Sequence, residues 1–317
     1  MEKIDPKSLG RVVVVLGGTS NEREVSLMSG KGVYEALLRS EVDAVQFDPK
    51  LQTIDELQAL NADRAFLILH GKGGEDGVIQ GVMEYIGLPY TGCGILSSAI
   101  GIDKKETKRV WESEGIPVPK GMILRSEADC ARVLETLGHH IVIKPMTEGS
   151  SIGLYRLQNA TPEQVQEAFA AISKMGQVPL VEEFIDGREL TVPVLDCLDG
   201  KGLRALPIIE IRAPEGSYDY EHKYFSNDTQ YLCPAPIDDA KRIEIQECVE
   251  KAARALGTAG WARIDVMLRK DGSFALLEIN TAPGMTPHSL VPLSAKAVGM
   301  SYEQLVLTVA KGAALKG

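Results

Sequence analysis

Residues 261–290 read WARIDVMLRKDGSFALLEINTAPGMTPHSL. Two apolar-alternating runs flank Asp271-Gly272, a dipeptide favoured in two-residue hairpin turns. A two-residue loop sets Lys270 opposite Ser273. Counting back, Asp265 faces Glu278 and Arg263 faces Asn280. Side chains alternate along a strand, so all four share one face. Opposed carboxylates repel by a few tenths to about 1 kcal/mol, and a cation between them removes that cost. Two carboxylates and an amide oxygen suit Mg2+, which keeps waters and also takes phosphate oxygens. The alternative is a solvated face of scattered charges. The apolar neighbours Ile264, Val266, Leu277 and Ile279 assign the opposite face to a core.

A chain of 317 residues exceeds one ordinary core, so two or three domains are expected. The formal net charge of −10 argues against nucleic acid as a partner, since a nucleic-acid footprint needs basic clustering. It leaves room for an anionic small substrate in a cleft with local lysines and arginines. The five cysteines are scattered and form no CxxC, which reads as reduced thiols in a cytoplasmic protein. The five histidines form no HExxH, so zinc is not expected. The opening MEKIDPKSLG has no signal-peptide core, and Val12–Leu16 is too short to span a bilayer. No membrane partner is expected.

Residues 11–16 (RVVVVL) predict a buried parallel strand ending at Gly17-Gly18. A helix should follow, with Thr19 and Glu22 at capping-box spacing. Residues 65–69 (AFLIL) predict a second buried strand, followed by a glycine loop and a helix over 78–86. This alternation describes an α/β domain with its ligand loops at the carboxyl ends of the strands. Further on, a charged helix over 103–113 leads to a hinge at Gly115–Pro119. Strands are expected at 141–144, from 154, at 180–185 and at 189–195, and a helix at 238–256. The aperiodic stretch 214–236 predicts a long functional loop.

Lys144 ends its strand and enters a glycine- and serine-rich loop through Glu148, Gly149, Ser150, Ser151 and Gly153. Backbone N–H groups of such a loop can surround phosphate, with the lysine adding charge. The loop lacks the Walker A pattern. A plain hairpin tip is the competing reading. Glu182, or the backbone beside it, could meet an adenine edge, and Glu189 could accept from ribose hydroxyls. No GxGxxG is present, which disfavours a nicotinamide dehydrogenase.

The pieces LGGTSNEREVSLMSG, HGKGGEDGVIQG, GLPYTGCG, IDKKETK, IVIKPMTEGSSIG, DYEHKYFSNDTQYLCPAP, RIDVML and LLEINTAPGMTPHSLVP span nearly the whole chain. Together they resemble the D-alanine–D-alanine ligases of the ATP-grasp superfamily. The resemblance implies an α/β, three-domain architecture with a Rossmann-like N-terminal parallel sheet and an α+β C-terminal part. The expected divisions are 1–102, 103–188 and 189–317. It implies ATP and two Mg2+ (or Mn2+), D-alanine as substrate, and a cytoplasmic homodimer serving peptidoglycan precursor synthesis. Lys104 and Lys144 resemble the lysines that hold ATP phosphates, in a nucleotide site that includes Glu148 and Ser151. Glu182 and Glu189 resemble the adenine and ribose contacts. Asp265, Glu278 and Asn280 resemble the metal ligands. Glu22 resembles the carboxylate that receives the first D-alanine's ammonium, with His70 nearby. Arg263 and the Gly284 N–H resemble the oxyanion donors, and Ser289 and Leu290 the site of the second D-alanine's carboxylate. Ser150 and Tyr224 match a set that closes the site with Glu22. Lys223 and Tyr224 lie in a loop matching a mobile lid. Met146-Thr147, Ala282 and Pro287 depart from the common pattern. Relatives that use D-lactate or D-serine, and a non-catalytic nucleotide-binding module, are the competing readings.

Overall fold

The computed structural model describes residues 4–149, 152–213 and 229–316. The first sheet is parallel, with β1 (Val12–Val15) between β2 (Ala44–Phe47) and β3 (Arg64–Leu67). All four valines of β1 are buried, because helices and loops cover both faces. Helix α1 (Arg23–Arg39) follows β1, α2 (Ile54–Ala59) follows β2, and α3 (Val78–Ile86) follows β3. Tyr90 bridges to Ala65 and to Ala314, so the C-terminal tail seals this sheet.

The expected capping box of α1 does not form. Its N-cap is Glu22, which makes no side-chain cap bond. Ser20 Oγ instead accepts from Glu22 N and donates to the His70 carbonyl. The spacing that suggested a cap belongs to a loop that leaves the Glu22 carboxylate for the cleft.

Helices α4 (Ile95–Ile102) and α5 (Lys104–Ser113) lead onward. Asp103 caps α5 by accepting from Lys105 N and Glu106 N. The second sheet is antiparallel, ordered β4 (Gly121–Ile123), β7 (Pro179–Glu183), β5 (Ile141–Pro145), β6 (Tyr155–Leu157). Helices α6 (Glu127–Leu137) and α7 (Pro162–Lys174) cover one face of it. In β5, Ile141 and Ile143 enter that core, while Val142 and Lys144 point into a cleft.

The third sheet runs β11 (Gln230–Leu232), β10 (Ile209–Arg212), β8 (Gly187–Asp196), β12 (Trp261–Arg269), β13 (Phe274–Asn280), with β9 (Leu203–Ala205) beside β8. Its core side packs on α8 (Asp239–Ala255) and on Trp111 of α5. The strands on either side of Asp186-Gly187 do not form a hairpin, since β7 and β8 belong to different sheets. The Gly115–Pro119 stretch docks on the β13 edge, where Leu276 N donates to Pro117 O at 2.8 Å. Of the aperiodic stretch, residues 214–228 lie outside the described residues. Its end is a strand rather than a loop, pairing with β10 through Ile211 and Tyr231. Helices α9 (Leu290–Ala297) and α10 (Tyr302–Lys311) return to the N-terminal sheet and share its core.

Candidate active site

Two cavities meet on the polar face of β12 and β13. The larger, about 710 Å3, separates the second and third sheets. Val142, Lys144 and Glu182 form one wall, and Glu189, Met267 and Leu277 the other. The smaller, about 360 Å3, reaches toward the N-terminal sheet and is lined by Glu22, Glu75, Arg263, Asn280, Gly284, Ser289 and Leu290. Lys104, Glu148, Asp265 and Glu278 line both. A ligand in either cavity therefore faces the same carboxylates.

The expected pairs are present: Asp265 lies opposite Glu278, and Arg263 opposite Asn280. The turn that was to set them is different. Its loop has three residues, for Arg269 N donates to Ser273 O at 2.7 Å and Gly272 takes a left-handed φ of 85°. The register near the turn is thus shifted by one, with Leu268 opposite Phe274 and Val266 opposite Leu276. A bulge at Leu277 restores it before Glu278. The bulge also corrects the expected core. Leu276 is fully buried there, while Leu277 turns into the large cavity beside Glu278.

Each carboxylate on this face has positive or hydroxyl partners. Arg263 holds Asp265 through Nε–Oδ1 and Nη2–Oδ2, both 2.9 Å. Thr191 Oγ1 adds a bond of 2.6 Å to Asp265 Oδ1. Lys104 Nζ lies 3.1 Å from Glu278 Oε2 and donates to the Glu148 carbonyl at 2.7 Å. Asn280 Oδ1 accepts from Ala282 N at 3.1 Å. Among the described residues no group of three or more His, Cys, Asp or Glu gathers as a metal cluster. The donor set is two carboxylates and an amide, a hard-oxygen set that fits Mg2+ or Mn2+ beside phosphate.

Lys144 Nζ pairs with Glu182 Oε2 at 2.8 Å, and the other Glu182 oxygen takes Lys108 Nζ. Burial opposes the Glu182 charge, but Lys108 and Lys144 outweigh it and draw its pKa down. Burial likewise opposes the Lys144 charge, and Glu182 and Glu278 outweigh it and raise the lysine. Glu182 thus serves as a counter-ion in this structure, with both oxygens engaged by lysines. Glu189, on β8, lines the larger cavity.

Glu22 sits between two glycines. A Cβ at Gly71 would lie 2.8 Å from its Oε2, and one at Gly149 would lie 3.3 Å away. Both loops therefore approach this carboxylate by lacking side chains. His70 lies behind them, buried, with Nδ1 2.8 Å from Ala282 O. It lines a separate cavity of about 320 Å3 rather than the one holding Glu22. Burial lowers its pKa, and the Glu22 charge works against that. Ser289 is the N-cap of α9, and its Oγ bonds Thr286 N at 3.0 Å. Gly284 lies beside it in the same cavity. Ser150, Ser151, Lys223 and Tyr224 lie outside the described residues.

Several residues of the site fall outside the sequence expectations. Lys108 is one helical turn beyond Lys104, a spacing that places both on one face of α5. Glu75 lies within HGKGGEDG and accepts from Gly71 N at 2.5 Å. Burial first, and Glu22 second, push its pKa up to about 8. Met267 and Thr191 follow from strand alternation once the register is known.

Comparison with known proteins finds matches along nearly the whole chain. A family model described as "D-ala D-ala ligase C-terminus" matches residues 110–311, and one described as "D-ala D-ala ligase N-terminus" matches 46–93. The D-alanine--D-alanine ligase of Cupriavidus taiwanensis is 51% identical over 312 residues, covering 98% of this chain and 94% of that protein. The crystal structure of D-alanine--D-alanine ligase from Bacillus anthracis complexed with ATP is similar with a TM-score of 0.79 and 30% identity, covering 96% of this chain and 97% of that one. The D-Ala:D-Ser ligase VanG from Enterococcus faecalis is similar with a TM-score of 0.80 and 28% identity, over 96% and 98% of the two chains.

Proposed function

The chain belongs to the D-alanine–D-alanine ligase family, and we propose from that premise how its residues divide the reaction. It catalyses the ATP-dependent joining of two D-alanines into D-alanyl-D-alanine for peptidoglycan synthesis. The fold is the mixed α/β ATP-grasp arrangement.

A carboxylate is a poor electrophile toward an amine, so it must be activated first. In our reading the large cavity takes ATP and the small one takes both D-alanines. The shared wall of Lys104, Asp265 and Glu278 supports this, because a γ-phosphate held where the two cavities join would meet all three. An oxygen of the first D-alanine's carboxylate attacks that phosphorus, the bond to ADP breaks, and an acyl phosphate forms. Such a transfer needs positioning and charge neutralisation above all. Lys104 and Lys144 hold phosphate oxygens, and Glu148 and Ser151 are assigned to the same nucleotide site. Asp265, Glu278 and Asn280 would hold Mg2+ or Mn2+, which supplies further positive charge to the phosphates when bound.

Glu22 receives the first D-alanine's ammonium, with His70 supporting the adjacent loop. Ser289 and Leu290 open α9, whose first-turn N–H groups attract the second D-alanine's carboxylate. The amine of that second substrate attacks the acyl carbon. Arg263 and the Gly284 N–H stabilise the oxyanion, and phosphate departs. Ser150, Lys223 and Tyr224 are assigned to closure over the acyl phosphate, which water would otherwise consume.

We also propose three domains, 1–102, 103–188 and 189–317, each built on one sheet. Trp111 of α5 packs in the third core, so α5 ties the second domain to the third. A cytoplasmic homodimer completes the reading. No helix among the described residues is long and apolar enough to cross a membrane. Val78 and Tyr85 are exposed two turns apart on α3, beside exposed Ile54, and support a self-association face. Sedimentation velocity tests that state, and a single monomeric boundary at micromolar protein would refute it.

Phosphate release from Mg-ATP tests the reaction assignments. D-alanine alone should support release with a dipeptide product, whereas L-alanine should not. Adding D-serine or D-lactate to D-alanine reports the second-substrate preference. Tight ATP binding without release on D-alanine would reject the assignment of the small cavity.

A further inference from the structure

Glu182 is 2% exposed and carries two lysines on one carboxylate. The lysines are not equivalent. Lys144 lines the large cavity, whereas Lys108 is buried behind Glu182 and does not line it. Lys108 reaches Glu182 from α5, and Lys144 reaches it from β5 of the second sheet. If Lys144 turns its donors toward phosphate, its hold on Glu182 weakens or is lost. A buried carboxylate stripped of its last cation is costly, because removing one partner leaves an uncompensated charge out of water.

We propose that Lys108 is a positioning residue that keeps Glu182 paired, so that Lys144 can leave it for the phosphates of ATP. Lys108 never meets the nucleotide. It lowers the cost of the Lys144 movement by remaining on the other Glu182 oxygen. The groups that face it agree with this. Burial, and then the charge of Lys144, lower the Lys108 pKa to about 8, while Glu182 and Glu278 sustain its charge. One carboxylate shared by two ammonium groups is an arrangement that relaxes when one of them departs. The inference rests on the reading of Lys144 as a phosphate ligand.

A double-mutant cycle on the full-length enzyme tests it. K108M should raise the KM for ATP on the order of tenfold with kcat at saturating ATP little changed, the size expected of coupled buried groups. K108R keeps the charge and should restore the KM. In the E182Q background, K108M should add no further increase, because no carboxylate remains to trap Lys144. A K108M variant that folds with an unchanged ATP KM overturns the proposal. So does a K108M/E182Q variant whose KM clearly exceeds that of E182Q. This second comparison stands alone if K108M does not fold, since the double variant leaves no buried carboxylate without a cation. K144M separates the two layers of inference. An unchanged ATP KM in K144M removes the phosphate role of Lys144 itself, whereas a raised KM there beside a normal K108M refutes only the role of Lys108.

Discussion

Arg263 and Asp265 stand two residues apart on the polar face of β12 and clasp each other through two parallel hydrogen bonds of 2.9 Å. Such forked pairing fixes the plane of the guanidinium and the carboxylate together. The group assigned to the oxyanion and a group assigned to the metal therefore share one orientation. Thr191 anchors the pair from β8.

Arg263→Ala removes a donor made for the transition state. Its kcat should fall by roughly 10²–10³, as for other oxyanion donors, with a smaller change in KM. Steady-state kinetics with D-alanine decides this. A change confined to KM would place Arg263 in ground-state binding.

Glu278→Gln removes one of two opposed carboxylates and the partner of Lys104. Activity should be largely lost, and the Mg2+ concentration needed for half-activity should rise. Titration of phosphate release against Mg2+ gives both numbers. Near-normal turnover at saturating Mg2+ would remove Glu278 from the metal site.

The opposed carboxylates are legible in the sequence because alternation and a turn signal determine which side chains share a face. They were legible partly through compensation. The loop is one residue longer than Asp271-Gly272 suggested, and the Leu277 bulge cancels the slip. A bulge depends on the partner strand and on what must face the cavity, so local pattern could not reveal it. The same limit explains Leu277, which reads as core yet lines the large cavity. β1 was plain, since four consecutive valines have few other homes. Short strands such as β4 and β9 carry too little periodicity to stand out. Lys108 was hidden because a charged helix is ordinarily a solvated one, and only the approach of β7 buries its ammonium against Glu182.

Gly74→Ala should disturb the loop that supports His70 and Glu75. A Cβ there would lie 2.5 Å from Leu69 Cβ and 2.8 Å from the Leu69 carbonyl oxygen. Backbone must shift to admit it, which typically costs about 1–3 kcal/mol. The denaturation midpoint should fall, and kcat/KM for D-alanine should fall with it. Chemical denaturation and kinetics on the same preparation test this, and an unchanged midpoint would mean that the loop is free to adjust.

Glu75 gives a pH dependence of definite sign. Its carboxyl is raised from 4.5 to about 8, chiefly by burial and then by Glu22. The folded protein thus holds a proton that the unfolded chain has released between those values. Stability falls with rising pH wherever the folded state binds more protons. The contribution of Glu75 is intact below about pH 4.5, is lost progressively up to about pH 8, and changes no further above it. Glu75→Gln stays neutral throughout and keeps an oxygen acceptor for the Gly71 N–H. Relative to that variant, the wild-type melting temperature should decline from pH 5 to pH 8. Melting curves of both proteins across this range provide the test. Parallel curves would show that Glu75 does not titrate there, and that its carboxylate is ionised beside Glu22 at neutral pH.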